Sequence, residues 1–291
     1  MPSLDDLKKR IKSVKSTQKI TKAMKMVAAA KLRKAQENAE KGRPYSQKMQ
    51  NIILNLTKSI NDPSNAPKLL VGTGDDKTYL CVVLTADRGL CGGFNSNICK
   101  LAKAKFKKIL SEEKNLKIIT VGSKGLDQIK REYGKYIIKK FSFKDKKQIS
   151  FNEADIIGKE IINLFYQKEF DKCLLFYNNF KNVITQIPQS QQIIPAEIIS
   201  ESKSDNNNLY EFEPDEDEIL EDLLPKNIST QIFKAFLENA ASEQGSRMTA
   251  MDNATRNAGD LVDRLTINYN RSRQAAITKE LIEIISGAES L

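Results

Sequence analysis

A small Rossmann-like α/β domain inserted between two long terminal helices, the helices paired as an antiparallel coiled coil, is the fold class this sequence predicts. Two changes of pattern predict the parts. Apolar residues recur at 3-4 spacing near both ends, which is a helical seam. Between residues 77 and 200 they gather instead into short runs alternating with helical stretches, which is a largely parallel sheet. Length predicts the pairing. About 60 residues of helix after Pro225 would span about 90 Å at 1.5 Å per residue. A compact chain of 291 residues has a diameter of about 50 Å. The C-terminal helix is therefore expected to project as a rod, and the N-terminal helix is the surface available to cover its stripe.

The expected divisions are 1–60 for the N-terminal helix, 75–205 for the α/β domain and 210–291 for the C-terminal helix. Ser3 can cap the first helix, and Asp5 and Asp6 suit its positive end. Leu4, Leu7, Ile11 and Val14 open a seam. It is expected to pass through Ile20, Met24, Val27 and Leu32 with a slip in phase. Gly42 and Pro44 are expected to bend or interrupt the helix, and Asn61–Pro67 to end it. Strands are predicted at 79–85, 117–121 and 173–177, with helices at 95–111, 123–133 and 152–168. Residues 183–187 and 192–198 alternate as an antiparallel edge would. Eight acidic and no basic residues lie between Glu211 and Asp222. They lack the spacing and glycine of an EF-hand and read as a solvated connector. Beyond it Ile232, Phe236 and Ala240 carry a stripe. Met248, Met251, Thr255, Ala258, Val262, Leu265 and Tyr269 keep a heptad with small or polar members. Gly287 is the expected stop.

Charge is concentrated at one end. Residues 1–50 hold fourteen basic and four acidic side chains, which accounts for the whole formal charge of +10. That surplus is either a solvated helix face or a surface for an acidic partner. With 40% hydrophobic residues, 12 Phe and 8 Tyr, the chain is not wholly disordered. No run approaches the roughly 18–20 apolar residues that cross a bilayer. There is no His, which removes the commonest metal ligand and general base. Cys81, Cys91, Cys99 and Cys173 fit neither a disulfide framework nor a CxxC metal pair, and read as small hydrophobes in a reducing compartment.

Ala86–Asn95 sits between a strand and a helix, where α/β proteins bind ligands. It lacks the Lys-Ser/Thr ending of a P-loop and is not GxGxxG. It reads as a tight turn that needs glycine, ahead of a nucleotide loop and the α/β enzyme that such a loop would imply. A basic coiled coil that binds nucleic acid is the alternative reading of the whole chain. Against it, no aromatic precedes Tyr45 in the basic stretch, and stacking on single strands uses aromatics. Arg271–Glu280 offers guanidiniums, an amide and a hydroxyl where a buried coil would offer large apolar residues. It is either an ordinary exposed helix end or a tip that touches a partner through breakable polar contacts.

Three stretches carry a resemblance. STQKITKAMKMVAAAKLRKA at 16–35, LTADRGLCGGFN at 84–95 and ITKELIEIISGAES at 277–290 are together similar to the gamma subunits of F-type ATP synthases, and they span the chain from end to end. The resemblance implies a non-catalytic central rotor stalk without a cofactor. It would carry torque from the membrane c-ring to the catalytic head (alpha3beta3), driving the binding-change cycle of ATP synthesis coupled to proton transport. The implied partners are the alpha and beta subunits, the epsilon subunit and the c-ring, with no nucleic acid. Arg273, Gln274, Thr278 and Glu280 match positions that contact beta-subunit loops. Lys22, Met24 and Lys25 match a region facing an acidic beta-subunit loop. The cysteine insertion of chloroplast relatives is missing, so thiol regulation is not implied. A start at Met1 without a transit peptide suggests the cytoplasmic side of a bacterial inner membrane, peripherally held. The alternative is the matrix side of the mitochondrial inner membrane.

Overall fold

The computed structural model describes residues 3–59, 67–146, 149–196 and 216–289. The chain divides into two compact units, Met1–Ala30 with Arg247–Leu291, and Lys31–Ser246. Helix α1 (Leu4–Ser59) begins in the first unit and ends in the second, and helix α6 (Glu216–Glu289) runs the other way.

In the second unit a five-stranded sheet has the order β3-β2-β1-β4-β5. The strands are β1 (Thr78–Leu84), β2 (Asn115–Val121), β3 (Ile137–Phe141), β4 (Lys172–Phe180) and β5 (Gln186–Ile194). All neighbours are parallel except β4 and β5. A parallel sheet needs cover on both faces, and the central strand shows how each face is covered. Tyr79, Cys81 and Val83 point to a core built with α3 (Phe94–Ser111) and α4 (Ser123–Tyr133), through Ile98, Phe106 and Ile129. Leu80, Val82 and Leu84 point to the other core, where α5 (Phe151–Tyr166) contributes Ile157 and Ile161. The rest of that cover comes from the long helices: Met49, Ile53 and Leu56 of α1, and Leu224, Ile232 and Phe236 of α6. A short helix, α2 (Lys68–Val71), adds Leu69 and Leu70.

Several expectations change. Residues 183–187 and 192–198 are not two segments. The edge is the single strand β5, and residues 197–198 lie outside the described residues. Strand β3 was not expected, because Lys139 and Lys140 interrupt its apolar pattern; both are exposed at the sheet edge, as edge lysines commonly are. Pro44 lies inside an unbroken α1, and Gly42 fits there because a Cβ would come within 2.9 Å of Leu237. Gly287 does not stop α6, which continues to Glu289. Of the expected acidic connector (201–222), residues 201–215 lie outside the described residues, and Glu216–Asp222 form the start of α6.

The seam of α1 does not slip. Leu4, Leu7, Ile11, Val14, Gln18, Thr21, Lys25, Ala28 and Leu32 keep one heptad phase, and every one is buried or half-buried. Ile20 and Val27, expected in the seam, are more than half exposed. The periodicity continues through Ala39, Ser46, Met49, Ile53 and Leu56, all buried. Ser3 caps the helix as expected, its Oγ accepting the Asp6 N–H at 3.1 Å.

The 86–95 loop is a brace. Asp87 accepts the Ser123 N–H (2.9 Å) and hydroxyl (2.8 Å), the Ser142 hydroxyl (2.8 Å) and the Phe143 N–H (3.0 Å). The chain's own carboxylate thus occupies the α4 N-terminus, and the loop serves as a turn. Beside it Gly122 has φ +98°, and a Cβ there would lie 2.3 Å from the Thr85 carbonyl oxygen. All four cysteines are buried and none is in a disulfide, and burial pushes the Cys99 thiol up to about 11. Such thiols are inert.

Gly122→Ala should destabilise the second unit by about 1–3 kcal/mol through backbone strain and overpacking, read as a lower thermal midpoint. A pH dependence should arise at the start of α5. The Ser150 hydroxyl and N–H both donate to Glu153, with Lys146 at 3.3 Å, and hold its carboxyl down at about 2. A depressed folded pKa gives stability that is complete above the ordinary carboxylate value and lost as pH falls toward 2. Glu153→Gln should therefore flatten the acid limb of a stability–pH curve and leave its neutral slope unchanged.

Candidate functional site

In the first unit, facing seam residues set the register of α1 against α6. Gly259 lies against Gln18, where a Cβ would be 3.0 Å from the amide nitrogen. The Thr255 hydroxyl bonds the Thr21 hydroxyl at 2.8 Å. Lys25 Nζ donates to Asp252 at 2.6 Å. Numbers rise on one helix as they fall on the other, so the pairing is antiparallel. Met251, Ala258, Val262 and Leu265 are buried on the α6 side, and Thr255 and Tyr269 half-buried. The expected C-terminal seam is thus the observed one.

Carried along at the same register, Leu4 at the start of α1 falls opposite Arg273. Beyond that point α6 has no described α1 residue beside it. From Gln274 to Ala288 its side chains are exposed apart from half-buried Ala276, and many are large and apolar: Ile277 51%, Leu281 53%, Ile282 58%, Ile284 71% and Ile285 50%. An exposed apolar run of this kind marks a surface that a partner covers. The LIEII run (281–285) signals it in the sequence, but the helical seam reading did not single it out.

The residues matched by resemblance fall into two groups rather than one site. Arg273, Gln274, Thr278 and Glu280 are all exposed on the last turns of α6. The Thr278 hydroxyl donates to the Gln274 carbonyl oxygen at 2.9 Å, leaving its lone pairs outward. Lys22 is exposed, Met24 half-buried, and Lys25 tied to Asp252. These three lie opposite residues 252–255, about 30 Å along the helix from Arg273 at 1.5 Å per residue. Lys25 is held within the chain, and its hydrogen bond lowers the pKa of Asp252.

The basic surplus has a geometry. Lys8, Lys12, Lys15, Lys19 and Lys22 recur at 4-3-4-3 spacing next to the seam, and all are exposed. An open groove of about 720 Å³ runs beside the first four of them. Such a row attracts acidic groups. Ile20 is exposed among these lysines, and Met26 and Val27 are exposed about a turn beyond Lys22, at 57%, 61% and 55%. No helix of the described residues is long and apolar enough to cross a membrane.

Both groups of the Lys25–Asp252 pair are half-buried but still reach solvent, with side chains 42% and 35% exposed, and ion pairs open to solvent are weak and screened. Lys25→Met should lower stability slightly at low salt, with the difference fading at high salt, as measured by urea unfolding at two ionic strengths.

Comparison with known proteins places this geometry. A profile described as ATP synthase matches residues 3–291. The ATP synthase gamma chain of Pelagibacter ubique (strain HTCC1062) is 72% identical over 291 residues, covering all of both chains. That of Rhizobium leguminosarum bv. trifolii (strain WSM2304) is 58% identical over 294 residues, again covering both in full. Among solved structures, a chain of the Tetrahymena thermophila mitochondrial ATP synthase central stalk and c-ring aligns with a TM-score of 0.61 and 26% identity, over 81% of this chain and 99% of that one. A chain of the Euglena gracilis mitochondrial ATP synthase aligns with a TM-score of 0.68 at 20% identity, over 99% and 94% respectively, and shares the fold. The nucleic-acid alternative finds no support in any of these. A profile match over nearly the whole chain and full-length relatives at this identity show that the chain belongs to the ATP synthase gamma-chain family.

Proposed function

We propose that the exposed end of α6, from Arg273 onward, is the part of a rotor stalk that turns inside the catalytic head. As a gamma chain, the protein is a non-catalytic central-stalk subunit of an ATP synthase; catalysis belongs to the beta subunits. The observation that carries the tip reading is the unpaired apolar run Ile277–Ile285 next to Arg273 and Gln274. A helix end that no other described residue covers fits a collar supplied by other subunits.

Within such a collar the two kinds of side chain do different work. The apolar residues seat the tip by non-directional contact, which tolerates rotation. Arg273, Gln274 and Thr278 make directional hydrogen bonds that form at some angles and not at others. The lysine row, with Lys22 and the neighbouring Met24 and Lys25 at its end, faces acidic loops of the beta subunits in the same way, at longer range. The two helices present different residues around their circumference, so each orientation favours a different beta conformation. Rotation then shifts nucleotide affinity by differential contact energy. The α/β domain takes the epsilon-subunit and c-ring end, within the division 1–60, 75–205 and 210–291. The complex is membrane-associated. The bacterial gamma chains among the relatives support the cytoplasmic side of a bacterial inner membrane.

Arg273→Ala combined with Gln274→Ala should leave the circular dichroism and thermal midpoint of the chain unchanged, since both side chains are exposed. It should impair coupled ATP synthesis in the assembled complex. Normal synthesis by the double variant would refute their role.

A further inference from the structure

We propose that Glu238 is a positioning residue for torque transfer: one buried carboxylate that ties both long helices to the α/β sheet at a single point. The proposal rests on the stalk reading. Glu238 lies on α6 and is 4% exposed. Its Oε1 accepts two hydrogen bonds from Arg43 of α1, from Nε at 3.0 Å and Nη2 at 2.8 Å. Its Oε2 accepts the backbone N–H of Phe180, the last residue of β4, at 3.1 Å. Three elements distant in sequence therefore meet on one side chain. A Cβ on Gly42, immediately before Arg43, would come within 2.9 Å of a terminal methyl of Leu237, immediately before Glu238. The helices are thus at close approach where the guanidinium reaches across.

A buried carboxylate is a poor choice for stability alone, because an apolar residue of similar volume usually does as well or better. What it adds is direction. Much of the surrounding packing of α1 and α6 on the sheet is apolar, and apolar packing resists separation better than sliding or axial rotation. Charge-assisted hydrogen bonds of fixed geometry resist both. The next turn of α6 repeats part of the link: Asn239 Oδ1 accepts the Asn178 N–H at 3.2 Å, and the Ser242 hydroxyl donates to the Asn178 carbonyl oxygen at 3.0 Å. Those bonds join α6 to β4 only. Through Glu238, load on the sheet reaches α1 and α6 together, so the helices turn as a pair.

The test uses the complete complex reconstituted in vesicles, with ions pumped per ATP hydrolysed measured against rising back-pressure. Glu238→Gln keeps the volume and removes the charge. It is expected to hydrolyse ATP at the normal rate while losing pumped ions per ATP as load rises. Ser242→Ala removes a buried hydrogen bond of the same helix–strand contact but spares the three-way link, and is expected to hold the wild-type ratio. A wild-type ratio for Glu238→Gln at every load overturns the proposal. An equal loss in Ser242→Ala also overturns it, because general destabilisation would then be sufficient. If Glu238→Gln fails to assemble, Arg43→Lys, which keeps the cation and loses the fork, is read by the same two outcomes. If the unaltered chain restores no ATP-driven pumping to a complex lacking its gamma chain, the stalk reading fails and the clamp with it.

Discussion

A parallel sheet has to be covered on both faces, and here one cover is largely the pair of terminal helices. Leu80, Val82 and Leu84 of β1 would face water without Met49, Ile53 and Leu56 of α1 and Leu224, Ile232 and Phe236 of α6. Burial of such side chains contributes about 1.5–3 kcal/mol each relative to exposure. The helices are consequently held to the domain by its own core, and no separate anchor is required. The same helices then run on into the first unit, where, among the described residues, they have only each other.

That difference in surroundings explains the difference in composition along one seam. In the second unit the α1 seam is mostly apolar, with Leu32, Ala39, Met49, Ile53 and Leu56 buried and Ser46 the polar exception. In the first unit it passes through Gln18, Thr21 and Lys25, which meet Gly259, Thr255 and Asp252. Polar residues at core positions of a coiled coil lower its stability and specify its register. The Thr21–Thr255 bond is worth about 0.5–1.5 kcal/mol, less than a buried leucine pair would be. Its partner must be opposite, however, and a helix shifted by one turn loses it. Register is thereby held by matched polar layers while the helices remain slender, with Ala28, Ala258 and Gly259 where bulkier residues would push them apart.

How much of this was legible in the sequence follows from the same physics. Leu4, Leu7, Ile11 and Val14, and Met251 through Tyr269, announce the seams, because there apolar residues and buried positions coincide. Between Gln18 and Lys25 they do not coincide. The polar residues are inside and Ile20 and Val27 outside, so a reading based on apolarity changes phase where the structure keeps it. Strand β3 was illegible for a related reason, since its edge lysines break the alternation. The Glu238 clamp leaves no local signal at all, as Arg43, Phe180 and Glu238 meet only in the fold. Of the candidate site, exposure at Arg271–Glu280 could be inferred from its lack of large apolar residues. The separation of Lys22, Met24 and Lys25 from Arg273 needed the register of the pair.

The exposed isoleucines complete the account of the charge. A basic row alone would suit any anion, including a nucleic acid, whose phosphates ask nothing of apolar neighbours. Here Ile20 stands among the lysines, Met26 and Val27 stand about a turn beyond Lys22, and Ile277–Ile285 stands uncovered past the start of α1. Apolar side chains exposed in this number favour a surface that is itself partly apolar and partly acidic, which is a protein lining. Long-range attraction by the lysines orients such a partner without locking it, because each exposed ion pair is weak and replaceable. The apolar contacts exclude water without choosing an angle. On the stalk reading proposed above, such an interface binds continuously while its directional contacts change, which is the requirement for a shaft that stays seated as it turns.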